Sequence, residues 1–197
     1  MSRSNRLERR AVVATLLADR GDLLVVSGLG APTYDCAAVG DHALNFYLWG
    51  AMGSAAMLGL GLATAQPQRP VLVITGDGEQ LMGLGALATV AVRKPANLAI
   101  VVLDNERYGE TGSQTTHTAD GVDLAGVAAA VGFPHSVRVE DAAGLAALLP
   151  RLRAKTGPLF AAIKVAPKPD PIVLPPRDGA YLKHRFRAAL LGDAAAR

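Results

Sequence analysis

The chain has 197 residues, half of them hydrophobic, with 20 basic and 17 acidic side chains and a formal charge of +3, so it can bury one substantial core in one main domain. Four Phe, four Tyr and one Trp, with basic residues dispersed except at the two ends, leave no basis for a nucleic-acid surface, which wants a basic stripe interleaved with aromatics. The single cysteine, Cys36, excludes an internal disulfide and a thiolate metal cage and fits a reducing cytoplasm.

In chain order, MSRSNRLERR followed by AVVATLLA predicts an amphipathic helix over 5–19. It is not read as a signal peptide, because the apolar stretch is short and runs into Asp19-Arg20 without a small-residue cleavage site. A strand is predicted over 22–27. The turn after it, SGLGA at 27–31, is either an edge of a ligand crevice, with Gly28 and Leu29 near the ligand, or a plain glycine-rich turn. The small-residue run GAMGSAAMLGLGLATA predicts a helix over 50–65, which falls short of the ~20 apolar residues that a membrane span needs. Strands are then predicted over 70–75, 98–103, 136–139 and 159–165. Helices are predicted over 80–92, 123–131 and 141–154. This alternation implies an α/β fold, an open, doubly wound and mainly parallel sheet. The core domain is expected to span 1–166. Residues 167–197 form an extension in which the proline-rich stretch 167–176 precedes a terminal helix over 181–191 that packs back or meets a partner.

PVLVIT at 70–75 and LAIVVL at 98–103 are β-branched runs of the kind buried on both faces of a parallel sheet. Gly76-Asp77-Gly78 ends the first and Asp104-Asn105 ends the second. Right-handed crossovers bring both ends to one edge, where open α/β sheets bind ligands. The two glycines let backbone N–H groups approach a phosphate closely. A carboxylate beside a diphosphate would be repelled unless a divalent cation sat between them, and a carboxylate with an amide oxygen suits Mg²⁺.

These residues resemble the diphosphate-binding domain of thiamine diphosphate enzymes, whose signature is Gly-Asp-Gly, a spacer of a few tens of residues, and Asn-Asn. Here Asp104 replaces the first asparagine. The resemblance implies that Asp77, the Asn105 side chain and the Arg107 carbonyl bind Mg²⁺. It further implies that Gly76, Gly78, Glu79, Tyr108 and Gly109 lie against thiamine diphosphate, with Glu79 standing where many members have serine. Gly50-Ala51-Met52-Gly53 matches a second segment, in which Met52 would wedge the cofactor into its V shape and the Gly50 carbonyl would accept from the aminopyrimidine. Without the downstream motif, Met52 would read as a core residue.

Within the family the chain resembles the small subunits of sulfopyruvate decarboxylase and the matching half of phosphonopyruvate decarboxylase. The carrying segments are Asn45-Phe46-Tyr47, Leu103-Asp104-Asn105-Glu106, Glu110-Thr111-Gly112-Ser113-Gln114 and Leu182-Lys183-His184-Arg185-Phe186. The implied activity is decarboxylation of a small 2-oxo acid, with carboligation of the acetolactate synthase type as a variant. A second domain does not fit this length. The glutamate that activates the cofactor is therefore expected on a separate pyrimidine-domain subunit in a hetero-oligomer.

Glu110 reads either as a carboxylate over the cofactor or as a solvated loop side chain, and beside a sulfonate or phosphonate it would require a compensating cation. His117, in a polar segment that would serve as a mobile lid, reads as proton shuttle or solvated loop. His42 and Tyr47 are placed at a subunit interface. His135 and His184 have no discernible partners, so no zinc site is supported. Gly83-Leu84-Gly85-Ala86-Leu87-Ala88 satisfies a dinucleotide fingerprint, but the expected position inside a helix is wrong for NAD. A non-catalytic cofactor-binding module is the remaining alternative.

Overall fold

The computed structural model describes residues 6–192. Predicted features at 1–5 and 193–197 lie outside the described residues.

In chain order the elements are α1 (Arg9–Leu17), β1 (Leu24–Ser27), α2 (Ala31–Ala38), β2 (Asn45–Tyr47), α3 (Ala55–Ala65), β3 (Val71–Gly76), α4 (Asp77–Met82), α5 (Ala86–Arg93) and β4 (Leu98–Asp104). A two-stranded ribbon, β5 (Arg107–Tyr108) and β6 (Gln114–Thr115), precedes α6 (Leu124–Ala130), β7 (His135–Val139), α7 (Ala142–Leu148), β8 (Leu159–Lys164) and α8 (Gly179–Leu191). Six strands form one sheet in the order β2-β1-β3-β4-β8-β7. Every pairing in it is parallel, and only the small ribbon is antiparallel.

β3, β4 and β8 are buried along nearly their whole length, which is why their sequences run apolar without alternation. Helices α3, α5 and α6 cover one face of the sheet, and α1, α2 and α7 cover the other. The doubly wound architecture follows from those two apolar layers. No helix among the described residues is long and apolar enough to cross a membrane.

Several predicted boundaries move for identifiable reasons. Residues 6–8 are extended rather than helical, because Leu7 bridges Val165 beside β8 and its carbonyl accepts from Ala166 N at 2.9 Å. The predicted helix over 50–65 starts at Ala55. Ala51 (φ 51°) and Gly53 (φ 97°) are in the left-handed region and make the preceding residues a turn. The predicted helix over 80–92 breaks into α4 and α5. The break lets Gly83 lie against the Gly53 carbonyl, where a Cβ would sit 2.1 Å from the oxygen. α7 ends at Leu148 and passes into a 3-10 turn over Leu149–Arg153.

α2 and β2 were not expected. α2 is held by the fully buried Asp35, which accepts from the Arg9 and Arg10 guanidinium groups, and by the buried Cys36. Burial pushes the Cys36 thiol up to about 12, so it is an inert core group. β2 is the edge strand, and α8 packs against it: Phe186 meets Phe46 edge to face at 5.6 Å, and Arg185 Nη1 donates to Asp41 Oδ2 at 2.5 Å. The terminal helix thus packs back and blunts an exposed sheet edge. Tyr47, expected at an interface, is 1% exposed and donates to Asp41 inside the fold.

A cofactor-sized cavity at the strand ends

The β3–β4 register sets Gly76 opposite Leu103, so Asp77 and Asp104 come level at the carboxyl edge of the sheet, with Asn105 one residue beyond. A cavity of about 590 Å³ opens there. Its wall includes Gly76, Asp77, Gly78 and Glu79 from the β3–α4 junction, Asn105, Arg107, Tyr108, Gly109 and Glu110 from the ribbon segment, Leu29 from the β1 turn, and Met52. Those sequence-predicted residues meet at one place. Gly28 and Gly50 do not line the cavity.

Asp77 is 2% exposed, and its carboxylate accepts from the hydroxyls of Thr116 and, at 3.1 Å, Thr118. Among the described residues it has no cationic partner. Burial pushes its carboxyl up to about 6; the Thr116 hydroxyl works against that shift, and the neighbouring Asp104 charge adds to it. Asn105 turns its amide oxygen toward the ribbon, accepting from Arg107 N at 2.9 Å. A buried carboxylate lacking a counter-charge, on the same cavity wall as an amide side chain, is a donor set suited to a hard divalent cation.

Asp104, the departure from Asn-Asn, is matched across the sheet by Lys164, its register partner on β8, with Nζ 2.7 Å from Oδ2. Lys164 also donates to Glu106 Oε1 at 3.0 Å, and Arg6 reaches the same oxygen at 2.7 Å. Burial raises the Glu106 carboxyl, but these two cations outweigh it and hold it down to about 2.

Gly78 lies beneath the Tyr108 ring, where a Cβ would sit 2.4 Å from Cε1, so any side chain there would displace the cavity wall. Glu79 is buried at the cavity wall. Its carboxylate accepts from Leu29 N at 2.9 Å, Thr75 Oγ1 at 2.8 Å and Gly53 N at 3.4 Å, tying three cavity segments together. Met52 is 36% exposed and precedes α3, so it is a wall residue rather than a core residue.

Glu110 is exposed and accepts from the Tyr34 hydroxyl at 3.2 Å. His117 is exposed in a 3-10 turn, and the segment expected as a mobile lid carries Thr116 and Thr118, both bonded to Asp77. The dinucleotide-like glycines fall between two helices, not between strand and helix, which removes the NAD reading.

Three features of the site had no functional reading from sequence. Arg9 lines the cavity from α1 and reaches Asp170 at 3.3 Å. The proline-rich stretch lines the cavity with Pro167, Lys168, Pro169 and Ile172, pinned by Arg10 to the Pro171 carbonyl at 2.7 Å and by Trp49 to the Pro176 carbonyl at 3.0 Å. The threonine pair on Asp77 is the third. Lys164 was also missed; a lysine closing an otherwise apolar strand is the signal that could have found it.

Residues 28–163 match the thiamine pyrophosphate enzyme C-terminal TPP binding domain. The chain is 42% identical over 161 residues to a sulfopyruvate decarboxylase subunit beta of Methanothermobacter thermautotrophicus, covering 82% of this chain and 83% of that one. It is 40% identical over 185 residues to a phosphonopyruvate decarboxylase of Streptomyces viridochromogenes, covering 93% of this chain but only 46% of that protein. In fold it superposes on benzoylformate decarboxylase from Polynucleobacter necessarius with a TM-score of 0.68 at 20% identity, over 87% of this chain and 36% of that one. With its sheet, its cavity and these matches, the chain belongs to the thiamine pyrophosphate enzymes, in the group of the sulfopyruvate decarboxylase beta subunits.

Proposed function

We propose that this chain is the diphosphate-binding subunit of a thiamine diphosphate-dependent 2-oxo acid decarboxylase, active in the cytoplasm with a separate pyrimidine-domain subunit. The observation that carries the reading is Asp77: a buried carboxylate with no cationic partner among the described residues, sharing with Asn105 the wall of a cofactor-sized cavity. A divalent cation supplies what that environment lacks. Mg²⁺ would be held by Asp77, the Asn105 side chain and the Arg107 carbonyl, and would offset the charge of the diphosphate there.

When bound, thiamine diphosphate supplies the carbon nucleophile and the electron sink that loss of CO₂ from a 2-oxo acid requires. The chain's own residues do the rest. Gly76 and Gly78 leave the backbone bare beside the diphosphate, Met52 presents an apolar, adaptable surface to the ring system, and Glu79 fixes Leu29 and Gly53 around it. The unit through residue 166 would hold the cofactor, and the extension from 167 lines the cavity.

The relatives' names point to a 2-oxo acid bearing a second anion. Arg107 and Lys168 share the cavity wall with Glu110 and provide the compensating charge that such a substrate needs. The "beta" designation of the methanogen relative supports a partner chain, which would bring the activating glutamate. Carboligation to a second carbonyl compound is the variant outcome.

The test is reconstitution with the product of the neighbouring gene and assay of CO₂ release from sulfopyruvate, phosphonopyruvate and pyruvate. Release is expected only when both chains, thiamine diphosphate and Mg²⁺ are present. Full activity of an Asp77→Ala complex, or of this chain alone, would refute the proposal.

A further inference from the structure

The end of β4 carries an electrostatic problem. Asp104 and Glu106 flank Asn105, and Asp77 lies alongside, so three carboxylates crowd the place where a diphosphate is to be held. Thr118 Oγ1 sits 2.8 Å from Asp104 Oδ1 and 3.1 Å from Asp77 Oδ2, which couples two of them through one hydroxyl. An uncompensated Asp104 would compete with Asp77 for a cation and would repel the diphosphate. Glu106 adds a conformational problem. Its φ of 64° puts a non-glycine residue in the left-handed region, between the two residues whose oxygens the cation is to take.

One side chain answers both. Lys164 Nζ lies 2.7 Å from Asp104 Oδ2 and 3.0 Å from Glu106 Oε1, and Arg6 Nη2 holds the same Glu106 oxygen at 2.7 Å. Lys164 is buried and does not line the cofactor cavity. It faces a separate pocket of about 130 Å³, shared with Asp104, Glu106, Asp123 and Arg138. Whatever it does for the cofactor it does through the two acids. Arg6 comes from the extended segment that Leu7 anchors against Val165, so the clamp closes from the sheet and from the chain's N-terminal side at once.

We propose that Lys164 is a positioning residue for the cation and diphosphate site: it neutralises Asp104 and, with Arg6, clamps Glu106 in its left-handed conformation so that Asn105 and Arg107 present their oxygens to the cavity. The inference rests on the cofactor reading above. It explains how this chain carries aspartate where the family motif has asparagine: the extra negative charge is matched by a lysine at the same level of the next strand.

The test is calorimetric titration of the full chain with thiamine diphosphate in excess Mg²⁺, alongside ligand-free thermal midpoints. Lys164→Met is expected to weaken binding by at least about tenfold, as loss of groups that orient metal ligands does. Adding Asp104→Asn removes the repulsion that Lys164 offsets but leaves Glu106 held by Arg6 without Lys164, so the double variant is expected to bind about threefold or more tighter than Lys164→Met while staying below the parent. Arg6→Ala loosens Glu106 without opening the sheet and is expected to weaken binding by about threefold or more at an unchanged midpoint, which keeps the test decisive if Lys164→Met does not fold. Parent-like binding by Lys164→Met or by Arg6→Ala overturns the proposal, as does a double variant that regains its midpoint but binds no better than Lys164→Met. Failure of the parent chain itself to bind in the presence of Mg²⁺ would instead overturn the underlying cofactor reading.

Discussion

Asp77→Asn should make the metal-free protein more stable while destroying its cofactor site. Burial raises the Asp77 carboxyl from 3.8 to about 6 in the folded chain. A carboxyl whose folded pKa lies above its unfolded value contributes its full stability below pH ~4 and loses it as the pH rises through 6. A rise of that size corresponds to about 3 kcal/mol at pH 8. The substituted amide carries no charge and can still accept from one of the two threonine hydroxyls, so the loss is abolished. For a chain of this size that gap corresponds to roughly 6–12 °C in thermal midpoint. The assay is thermal unfolding in EDTA from pH 4.5 to 8, for parent and variant. The variant should unfold higher at pH 8 and the gap should close toward pH 4.5. With Mg²⁺ and thiamine diphosphate added, only the parent should rise. Equal midpoints at pH 8, or a gap that does not change with pH, would refute the reasoning.

Glu79→Ala strips the acceptor from Leu29 N, Thr75 Oγ1 and Gly53 N. It should cost about 1–3 kcal/mol in urea unfolding, because these donors are left unpaired in a buried place. Gly78→Ala forces the Tyr108 ring off its seat, since the new Cβ would lie 2.4 Å from Cε1. Overpacking of that kind costs about 1–3 kcal/mol, and because Tyr108 is cavity wall, titration should show a loss of cofactor affinity alongside the fall in midpoint.

The central strands and the meeting of Asp77 with Asn105 were legible because buried parallel strands need long apolar runs, and such runs end abruptly where the ligand edge begins. α2 and β2 were not. APTYDCAA shows no apolar period, being held by the ion pairs of Asp35, and NFY is too short to read as a strand. The break between α4 and α5 depends on a contact between Gly53 and Gly83, which no local pattern reports. The same holds for Thr116 and Thr118. Two polar residues in a polar run carry no mark of their carboxylate partner until the ribbon folds them over Asp77. The proline-rich stretch read as the end of the core, yet its pinning by Arg10 and Trp49 makes it part of the cavity's wall.

The central claim is that this chain holds the diphosphate end of thiamine diphosphate through a cation on Asp77. Its most direct test is equilibrium binding of thiamine diphosphate against thiamine, with Mg²⁺ and with EDTA, on the parent chain and on Asp77→Ala. Binding should require the diphosphate, Mg²⁺ and Asp77 together. Equal binding of thiamine, or binding of the diphosphate that EDTA and the Asp77 substitution leave unchanged, would contradict it.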